Sequence, residues 1–406
     1  MKCLLVASIF PPINGGSAVV YDSLCRFSPE GSMVVLAPRR HYLTGEMIPG
    51  TEEFDSQAPF PIHRVDLLRP TVRKSHNILH SVWLQLTIDV PLKIRLAWTV
   101  TRLVRRDKID VLCIGELNSG SWIGLFAQRW LGCRMINYIH GEEITTQTNY
   151  RFYGRNRERY LAHADAVVAV SGFTKQALQD LMGVDPAKIA LIQNGVDAER
   201  FTPGPPPQYL MERYGLAGKR VLMTVGRLVE RKGIDRTIEA MPEIVAAVPD
   251  AHYLIVGEGE YRTHLERLVA DQGMSEHVTF AGRVPEEELV DHYRFCDLFL
   301  MPNRELSDHD TEGFGLVFLE ANACGKAVVG GRAGGAVEAV QEGRNGLLVN
   351  GDKPPEIAVA VIRLLTDTAL REQIETTGLE IARAASSKEK ARQFHQLCQR
   401  LVGETP

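Results

Sequence analysis

Residues 221–233 read VLMTVGRLVERKG, an apolar run that is followed by a short segment rich in basic residues and a glycine. The apolar residues 221–225 predict a buried β-strand, and a helical pattern begins after Gly233. A strand that is buried on both faces implies helices on either side of a parallel sheet. This stretch therefore predicts an α/β architecture.

The same alternation of strand and helix patterns recurs along the whole chain. Helical patterns occupy residues 121–131, 151–163 and 174–182, for example. The predicted strands are 3–7, 33–37, 111–114, 135–139, 166–170 and 189–192 in the first half, and 221–225, 252–256, 278–281, 298–301, 327–329 and 346–349 in the second. The sequence therefore predicts a doubly wound, Rossmann-like α/β domain that is used twice.

The chain length and one proline-rich segment indicate two domains. A chain of 406 residues is longer than a single hydrophobic core usually supports. Residues 201–208 read FTPGPPPQ and contain four prolines, which disfavour helix and limit flexibility. We therefore expect an N-terminal domain at 1–198 and a C-terminal domain at 199–385. The last part of the chain, 353–406, has a helical pattern throughout.

The cysteines and the apolar segments favour a cytoplasmic protein. The seven cysteines are scattered and none forms a Cys-x-x-Cys pair, so neither a disulfide framework nor a zinc site is indicated. The N-terminus lacks the basic segment and long apolar segment of a secretory signal. Charged residues and a proline interrupt the apolar region 81–100, which is therefore not expected to span a bilayer.

Basic side chains are concentrated between residues 61 and 110, with ten Lys or Arg against four Asp or Glu. Such a region suits an anionic acceptor or the inner face of a plasma membrane, and a solvated surface explains it equally well. Within it, a helical apolar stripe predicts a crossover helix that packs on the sheet. The alternative, a peripheral membrane helix, would need Ile94 and Trp98. The stripe consists of Leu92, Leu96, Val100 and Leu103. A second group of basic residues, which also suits an anionic or lipid-linked acceptor, consists of Arg151, Arg155, Arg157 and Arg159.

Residues 312–320 read EGFGLVFLE and contain two carboxylates, Glu312 and Glu320. An apolar helical run, 316–323, carries Glu320, and Glu312 would lie at the entry of this helix. A spacing of slightly more than two turns would place both acids on roughly the same side. Gly313 and Gly315 allow backbone N–H groups to approach a ligand, and a helix N-terminus favours a phosphate. The pattern suits a sugar linked to a pyrophosphate. An ordinary first-turn acid and an ordinary surface acid are the alternative interpretation.

Arg227 and Lys232 follow the predicted strand 221–225. Ligands of α/β proteins bind at the carboxyl ends of strands. A guanidinium and an ammonium group at such an edge can neutralise a diphosphate leaving group. Alternatively, Arg231 and Lys232 are ordinary basic residues of a loop.

Two further segments indicate what the protein binds. Residues 11–16 read PPINGG, and the double glycine, Gly15 and Gly16, permits close approach of the backbone to a charged group. No segment has the complete Gly-x-Gly-x-x-Gly pattern, which disfavours a hydride-transferring dehydrogenase. The acidic residues of Asp308-His309-Asp310 are potential metal ligands, but a solvated loop is the preferred interpretation.

Together these segments resemble the family-4 retaining glycosyltransferases over nearly the whole chain. Residues 302–320 are most similar to the mannosyltransferases that act on phosphatidylinositol mannosides and polysaccharide lipids. The motifs that carry the resemblance are PPINGG at 11–16, HGEE at 140–143, VSGFTK at 170–175, NGVD at 194–197, VGRLVERKG at 225–233, VGEGE at 256–260, EGFGLVFLEANACGKAVV at 312–329 and GGAVEAVQEGRNGLLV at 334–349.

The resemblance implies a GT-B fold, in which two Rossmann-like domains face a central cleft and the C-terminal domain binds the donor. It also implies that the last helix, 386–406, packs back on the N-terminal domain. The catalytic residues that it implies are Glu312, His140, Arg227 and Lys232. The donor-binding residues that it implies are Gly15, Gly16, Arg227, Lys232, Arg283, Val284, Gly313, Phe314, Gly315, Leu316 and Glu320.

The resemblance further implies individual roles and a mechanism. Arg227 and Lys232 would hold the diphosphate, Glu312 the transferred sugar and Glu320 the ribose. Backbone groups around Arg283 and Val284 would contact the nucleobase, and His140 would contact the sugar near the reacting carbon. The reaction would be a front-face displacement with retention, in which charge stabilisation and positioning dominate. It would need no metal and no cofactor, only a GDP- or UDP-linked sugar as co-substrate.

The expected activity is transfer of mannose from GDP-mannose to a hydroxyl of a glycan, a glycolipid or another acceptor, with possible contact to an anionic membrane. A UDP-hexose transferase is the first alternative. A sugar-nucleotide epimerase and a catalytically silent partner that binds nucleotide sugars are the others. No nucleic-acid partner is expected.

Overall fold

The computed structural model describes residues 1–13, 15–71, 78–145 and 154–403. The chain divides into two compact units, of which unit 1 comprises Met1–Gln193 and Ser387–Pro406 and unit 2 comprises Asn194–Ser386. The sequence placed this division after residue 198. In the structure, residues 194–198 belong to unit 2. The reason is that Val196 forms a bridge with Ser386, and the N–H of Val196 donates to the carbonyl of Ala385 at 3.0 Å.

In the described part of unit 1, seven parallel strands form one sheet with the order β3-β2-β1-β4-β5-β6-β7. The order runs outward in both directions from β1 and β4, which is the arrangement of a doubly wound sheet. The strands are β1 (Cys3–Val6), β2 (Met33–Pro38), β3 (Ile62–Val65), β4 (Val111–Ile114), β5 (Arg134–Ile139), β6 (Ala166–Ala169) and β7 (Ile189–Leu191).

The edge strand β3 is the strand that the sequence analysis missed. Its four residues are only half-buried, and two of them, His63 and Arg64, are polar. Arg64 pairs with Asp55 at 2.7 Å and donates to the carbonyl of Pro11, also at 2.7 Å. An edge strand of this kind lacks the apolar run that identifies the central strands, so a prediction based on such runs does not find it.

The helices of unit 1 cover the sheet, and α4 contains the apolar stripe noted in the sequence. Leu96, Val100 and Leu103 are buried in a core that includes residues of β1 and β4, which confirms a crossover helix. The π-helical turn Gln85–Asp89 precedes it directly. The helices are α1 (Gly16–Arg26), α2 (Thr51–Gln57), α3 (Ile78–Leu84), α4 (Val90–Asp107), α5 (Leu117–Leu131), α6 (Glu142–Thr145), α7 (Gly154–His163) and α8 (Gly172–Met182).

Unit 2 also contains a doubly wound sheet, with six parallel strands in the order β10-β9-β8-β11-β12-β13. The strands are β8 (Arg220–Val225), β9 (Ala251–Val256), β10 (Val278–Gly282), β11 (Leu298–Met301), β12 (Ala327–Gly331) and β13 (Gly346–Val349). The helices are α9 (Gln208–Tyr214), α10 (Ile234–Ala247), α11 (Arg262–Asp271), α12 (Leu289–Phe295), α13 (Leu316–Ala323), α14 (Ala336–Ala339), α15 (Pro354–Thr366) and α16 (Thr368–Ala384).

The last helix, α17 (Ser387–Val402), belongs to unit 1 although it follows unit 2 in the chain. Its buried residue Phe394 has its ring centroid 6.1 Å from that of Tyr138 in β5. Residues 404–406 of the expected terminal helix lie outside the described residues. All seven cysteines are buried and free. Among the described residues, the helices are too short or too polar for any of them to traverse a bilayer.

Candidate active site

The order of the strands in unit 2 changes direction between β8 and β11, which are direct neighbours. The loops that follow these two strands therefore start at the same edge of the sheet. The first loop contains Arg227, which is exposed, and Lys232. The second contains Glu312 and leads into α13. This edge is where a doubly wound domain offers a ligand site.

Lys232 and Glu312 form an ion pair at this edge. The ammonium nitrogen lies 2.6 Å from Oε2 of Glu312, and the two side chains are 13% and 14% exposed. Burial acts to raise the pKa of Glu312, but the charge and hydrogen bond of Lys232 outweigh it, together with Arg231 and the N–H of Phe314. The pKa of Glu312 is therefore lowered, and the carboxylate is ionised. Since an ammonium group has three N–H donors, Lys232 can also bind a phosphate oxygen.

Three more ion pairs join the same segments, 230–235 and 304–312, and one of them joins Arg304 to Glu230 at 3.2 Å. Arg231 lies 3.0 Å from a carboxylate oxygen of Asp310. Arg304 donates two hydrogen bonds of 2.8 Å to Asp235, and these side chains are only 4% and 5% exposed. Neither Arg231 nor Lys232 is therefore an ordinary loop residue, because each pairs with an acidic residue of the second segment. Four ion pairs thus position the two loops against each other.

The backbone at this edge also depends on two glycines with positive φ. Gly233 has φ +72°, and a Cβ atom there would lie 2.0 Å from the carbonyl oxygen of Pro302. Gly315 precedes α13 with φ +88°, and a Cβ atom there would lie 2.7 Å from the ring of Phe318. A side chain at either position would be strained. One at Gly233 would force the two loops apart, and one at Gly315 would displace the ring of Phe318. Both glycines are therefore required by the fold itself.

The predicted helical run 316–323 is confirmed as α13, but helical spacing does not relate Glu312 to Glu320. Helix α13 begins at Leu316, so Gly313, Phe314 and Gly315 connect Glu312 to it in a non-helical conformation. Glu320 is not a surface residue, because it is buried and accepts a hydrogen bond of 2.7 Å from the hydroxyl of Tyr293. Burial raises the pKa of Glu320 despite this hydrogen bond. The two acids therefore have different partners and different electrostatic environments.

The expected contacts to a nucleobase lie directly after β10, at the exposed Arg283 and the half-buried Val284. Strand β10 is the edge strand on the β9 side of the same sheet. Asp308-His309-Asp310 follows β11, but Asp310 is paired with Arg231 and His309 is hydrogen bonded to Glu305 at 2.7 Å. These contacts favour a structural role for that segment.

In unit 1, His140 follows the carboxyl end of β5 and contacts Tyr21 of α1. Its Nε2 atom lies 2.9 Å from the hydroxyl of Tyr21, which donates to the carbonyl of Gly115 at 2.7 Å. Burial lowers the pKa of His140 to about 4, so the imidazole is neutral at physiological pH. Gly15 and Gly16, both exposed, are the residues at the start of α1. These residues lie at the ends of β1, β4 and β5.

Glu143 follows His140 by three residues, and its side chain caps the turn that contains His140. Its carboxylate accepts the backbone N–H of Gly141 at 2.9 Å and that of His140 at 3.2 Å. Burial raises the pKa of Glu143 to about 7, although the backbone hydrogen bonds act in the opposite direction. HGEE at 140–143 is therefore a turn that is closed by its own last residue.

Four residues that position the candidate site residues were not predicted from the sequence: Tyr21, Asp235, Tyr293 and Arg304. Asp235 lies two residues after Gly233, and Arg304 lies within the segment that resembles mannosyltransferases. A signal was therefore present for these two, since a charged residue next to a motif suggests an ion pair. Nothing in the local sequence marks Tyr21 or Tyr293, whose partners are 94 and 27 residues away.

Comparisons with known proteins identify the family of the chain. The family model described as Glycosyl transferases group 1 matches residues 210–380, and the model described as Glycosyltransferase Family 4 matches residues 62–200. A relative from Mycolicibacterium smegmatis, the GDP-mannose-dependent alpha-(1-6)-phosphatidylinositol monomannoside mannosyltransferase, is 33% identical over 96% of this chain and 100% of its own. A relative from Corynebacterium glutamicum, which acts on the monoacylated form, is 28% identical over 93% of this chain and 92% of its own.

Solved structures show the same architecture at lower sequence identity. Anabaena HepE in complex with UDP and glucose has a TM-score of 0.76 and is 21% identical, with 98% of this chain and 99% of that chain covered. Sucrose-phosphate synthase from Thermosynechococcus elongatus has a TM-score of 0.77 and is 21% identical, with 99% of both chains covered. The chain is a glycosyltransferase that belongs to family 4 and has the GT-B fold.

Proposed function

We propose that the protein transfers mannose from GDP-mannose to a hydroxyl group of a phosphatidylinositol mannoside or a similar lipid-linked glycan. The support for the donor and the acceptor comes from relatives that are named for this reaction and that match over 100% and 92% of their own lengths. The observation that carries the chemistry is the buried pair of Lys232 and Glu312 at the edge of the unit 2 sheet.

Lys232 and Arg227 stabilise the diphosphate as negative charge develops on the leaving group. Arg227 is exposed at the end of β8, where its guanidinium can form two parallel hydrogen bonds to phosphate oxygens. Glu312, which is ionised because of Lys232, accepts hydrogen bonds from hydroxyls of the transferred mannose. Neither carboxylate has to act as a general acid or base, because the leaving phosphate oxygen accepts the proton of the attacking hydroxyl. Most of the rate enhancement then comes from fixed charges.

A lipid-linked acceptor requires contact with a membrane, and unit 1 has a surface with the necessary chemistry. Five large apolar side chains, spaced by three or four residues along the helical segment 78–107, are exposed to solvent. Ile94 and Trp98, the two that the sequence required for a membrane helix, are 64% and 65% exposed. We call these five residues the outer apolar row: Trp83, Leu86, Val90, Ile94 and Trp98.

Basic side chains surround the outer apolar row. Arg102 places its guanidinium 5.7 Å from the ring centroid of Trp98, and Arg95 and Arg105 are exposed on the same helix. An amphipathic helix with aromatic and basic residues is typical of proteins that bind at the interface of anionic membranes. Because the opposite side of α4 is buried in the core, the helix lies along the membrane surface in this proposal.

Part of the basic region has other roles within the chain. Arg64 is buried and paired with Asp55, Arg69 is paired with Glu116, and Arg106 is paired with Asp107. In the second basic group, Arg157 donates to the carbonyl of Glu143 at 2.7 Å. Arg73, Lys74, Arg151 and the side chain of Arg155 lie outside the described residues. The membrane proposal therefore rests on Arg95, Arg102 and Arg105.

A transfer assay tests the proposed function. The protein is incubated with radiolabelled GDP-mannose or UDP-glucose and with vesicles that contain phosphatidylinositol monomannoside, and labelled lipid is separated and identified by mass spectrometry. We expect labelled dimannoside from GDP-mannose and no labelled lipid from UDP-glucose. Labelled lipid from UDP-glucose alone would replace the proposed donor with a UDP-hexose. Binding of GDP-mannose without any transfer to this lipid would contradict the proposed acceptor.

A further inference from the structure

The hydroxyl of Tyr21 is placed between two groups that compete for its single proton. The carbonyl oxygen of Gly115 lies 2.7 Å from it and Nε2 of His140 lies 2.9 Å from it. A carbonyl oxygen can only accept a hydrogen bond, so the Tyr21 proton has to point to Gly115. The hydroxyl oxygen is then an acceptor for His140, and Nε2 has to carry a hydrogen.

The protonation state of the imidazole completes the assignment. Burial lowers the pKa of His140 to about 4, so the ring carries only one N–H at neutral pH. When that hydrogen is on Nε2, the Nδ1 atom has a free lone pair and acts as an acceptor. Which nitrogen of a functional imidazole carries the proton is set in general by the hydrogen bond at the other nitrogen.

The packing around Tyr21 holds its hydroxyl in this place. Tyr21 is fully buried, and its ring meets those of His140 and Tyr138 edge to face, with centroid distances of 5.2 Å and 5.7 Å. A Cβ atom at Gly115 would lie 2.7 Å from the hydroxyl oxygen of Tyr21. The absence of a side chain at Gly115 is therefore what allows the hydroxyl to reach both partners.

We propose that Tyr21 is a positioning residue that fixes the Nε2–H tautomer of His140, so that Nδ1 accepts a hydrogen bond from a hydroxyl group of a sugar substrate. Tyr21 does not touch the substrate in this account, and it acts only through the imidazole. The role of Nδ1 toward a sugar rests on the proposed function, whereas the tautomer itself does not.

Nitrogen NMR of protein labelled with ¹⁵N-histidine tests the tautomer without any substrate. The His140 signal is identified by its loss in His140→Asn. We expect a protonated Nε2 and an unprotonated Nδ1 in the wild type, and a mixture of tautomers in Tyr21→Phe. Tyr138→Phe is the matched control, because it removes another buried hydroxyl beside the same ring, and it should keep the wild-type tautomer. A protonated Nδ1 in the wild type, or an unchanged Nε2–H tautomer in Tyr21→Phe, would overturn the proposal.

Activity measurements test the role of Nδ1. The side-chain oxygen of Asn can occupy the position of Nδ1, whereas that of Gln extends to the position of Nε2. We therefore expect His140→Asn to retain at least tenfold more kcat than His140→Gln, and Tyr21→Phe to lose about tenfold in kcat, the scale of one hydrogen bond to a reacting group. Equal losses in the two His140 variants would overturn the role of Nδ1. If no transfer from GDP-mannose is detected at all, the proposed function fails, while the NMR result still decides the tautomer.

Discussion

The ammonium group of Lys232 lies 2.6 Å from a carboxylate oxygen of Glu312, and both side chains are largely buried. The contact joins two sequence motifs that are 80 residues apart. It leaves a positive and a negative group side by side at the carboxyl ends of β8 and β11, where one can meet a diphosphate and the other a sugar hydroxyl. Removal of either partner leaves the other charge buried without its counterion.

Replacement of either partner should therefore abolish most of the activity. We expect Lys232→Ala and Glu312→Ala each to reduce kcat by roughly 100-fold or more, the scale of one lost transition-state partner. Steady-state assays of GDP release in the presence of acceptor measure this. Lys353→Ala is the matched control, because Lys353 pairs with Glu356 at 3.2 Å on an exposed surface. Near-normal turnover in both site variants would show that the site is misplaced.

The buried pair of Arg304 and Asp235 should stabilise unit 2 and position Lys232. We expect Asp235→Asn to lower the free energy of unfolding of unit 2 by about 3 kcal/mol, because it removes the buried carboxylate that faces Arg304. Arg304 then keeps only the exposed carboxylates of Glu230 and Asp352, at 3.2 Å and 3.4 Å. The double variant Arg304→Met with Asp235→Leu should recover most of that loss. Chemical denaturation followed by fluorescence provides the measurement. A double variant that is as unstable as Asp235→Asn would contradict the assignment of the loss to a buried charge that lacks its buried counterion.

Glu143 should make the stability of unit 1 depend on pH. Its pKa is raised by burial from 4.5 to about 7, so the folded state favours the protonated acid. The stabilisation is complete below pH 4.5 and is lost as the pH rises through 7. We therefore expect the wild type to lose more stability than Glu143→Gln between pH 5.5 and pH 8. Equal losses, measured by denaturation midpoints at the two pH values, would show that Glu143 ionises normally.

The pKa of His140 is lowered, whereas that of Glu143 is raised, and His140 affects the stability of unit 1 at lower pH. Because the folded state favours the neutral imidazole, its contribution is lost as the pH falls from 6.5 toward 4. The two groups therefore partly cancel between pH 5.5 and 6.5, and the comparison of the wild type with Glu143→Gln isolates the contribution of Glu143.

The outer apolar row and its basic neighbours should determine membrane binding. We expect the double variant Ile94→Ser with Trp98→Ser to bind at least tenfold more weakly to vesicles of phosphatidylcholine and phosphatidylinositol, since two large apolar side chains no longer enter the interface. Val359→Ser is the control, because Val359 is 61% exposed in unit 2. Vesicle flotation measures the effect.

Charge removal gives an independent check of the same surface. The triple variant Arg95→Gln, Arg102→Gln and Arg105→Gln should bind about 100-fold more weakly to anionic vesicles, at about 1 kcal/mol per charge. Its binding to uncharged phosphatidylcholine vesicles should not change. Unchanged binding to both kinds of vesicle would remove the membrane from the proposal.

The sequence predicts the fold well where a strand is buried on both faces. Strands β4 and β11 have the predicted bounds, because each is a short apolar run between polar turns. The edge strand β3 was missed because its half-buried residues form no apolar run. Helix α13 has the predicted bounds 316–323, whereas the position of Glu312 relative to it was not predictable, because the chain is not helical between Glu312 and Leu316.

The residues of the site could be predicted from their motifs, but their contacts could not. Basic residues at a strand end and a carboxylate near glycines indicated phosphate and sugar chemistry at Lys232 and Glu312. That they form a pair follows from the adjacency of β8 and β11, which is set by the order of the strands and not by local sequence. The role of Tyr21 could not be predicted, because in the sequence it is one of several large residues in α1.

Calorimetric titration of the purified protein with GDP and with UDP, in buffer that contains a metal chelator, tests the proposed donor most directly. The wild type is compared with Lys232→Ala and with the control Lys353→Ala. We expect GDP to bind to the wild type and to the control, UDP to bind much more weakly, and Lys232→Ala to weaken GDP binding. Binding of UDP in preference to GDP, or unchanged GDP binding in Lys232→Ala, would contradict this expectation.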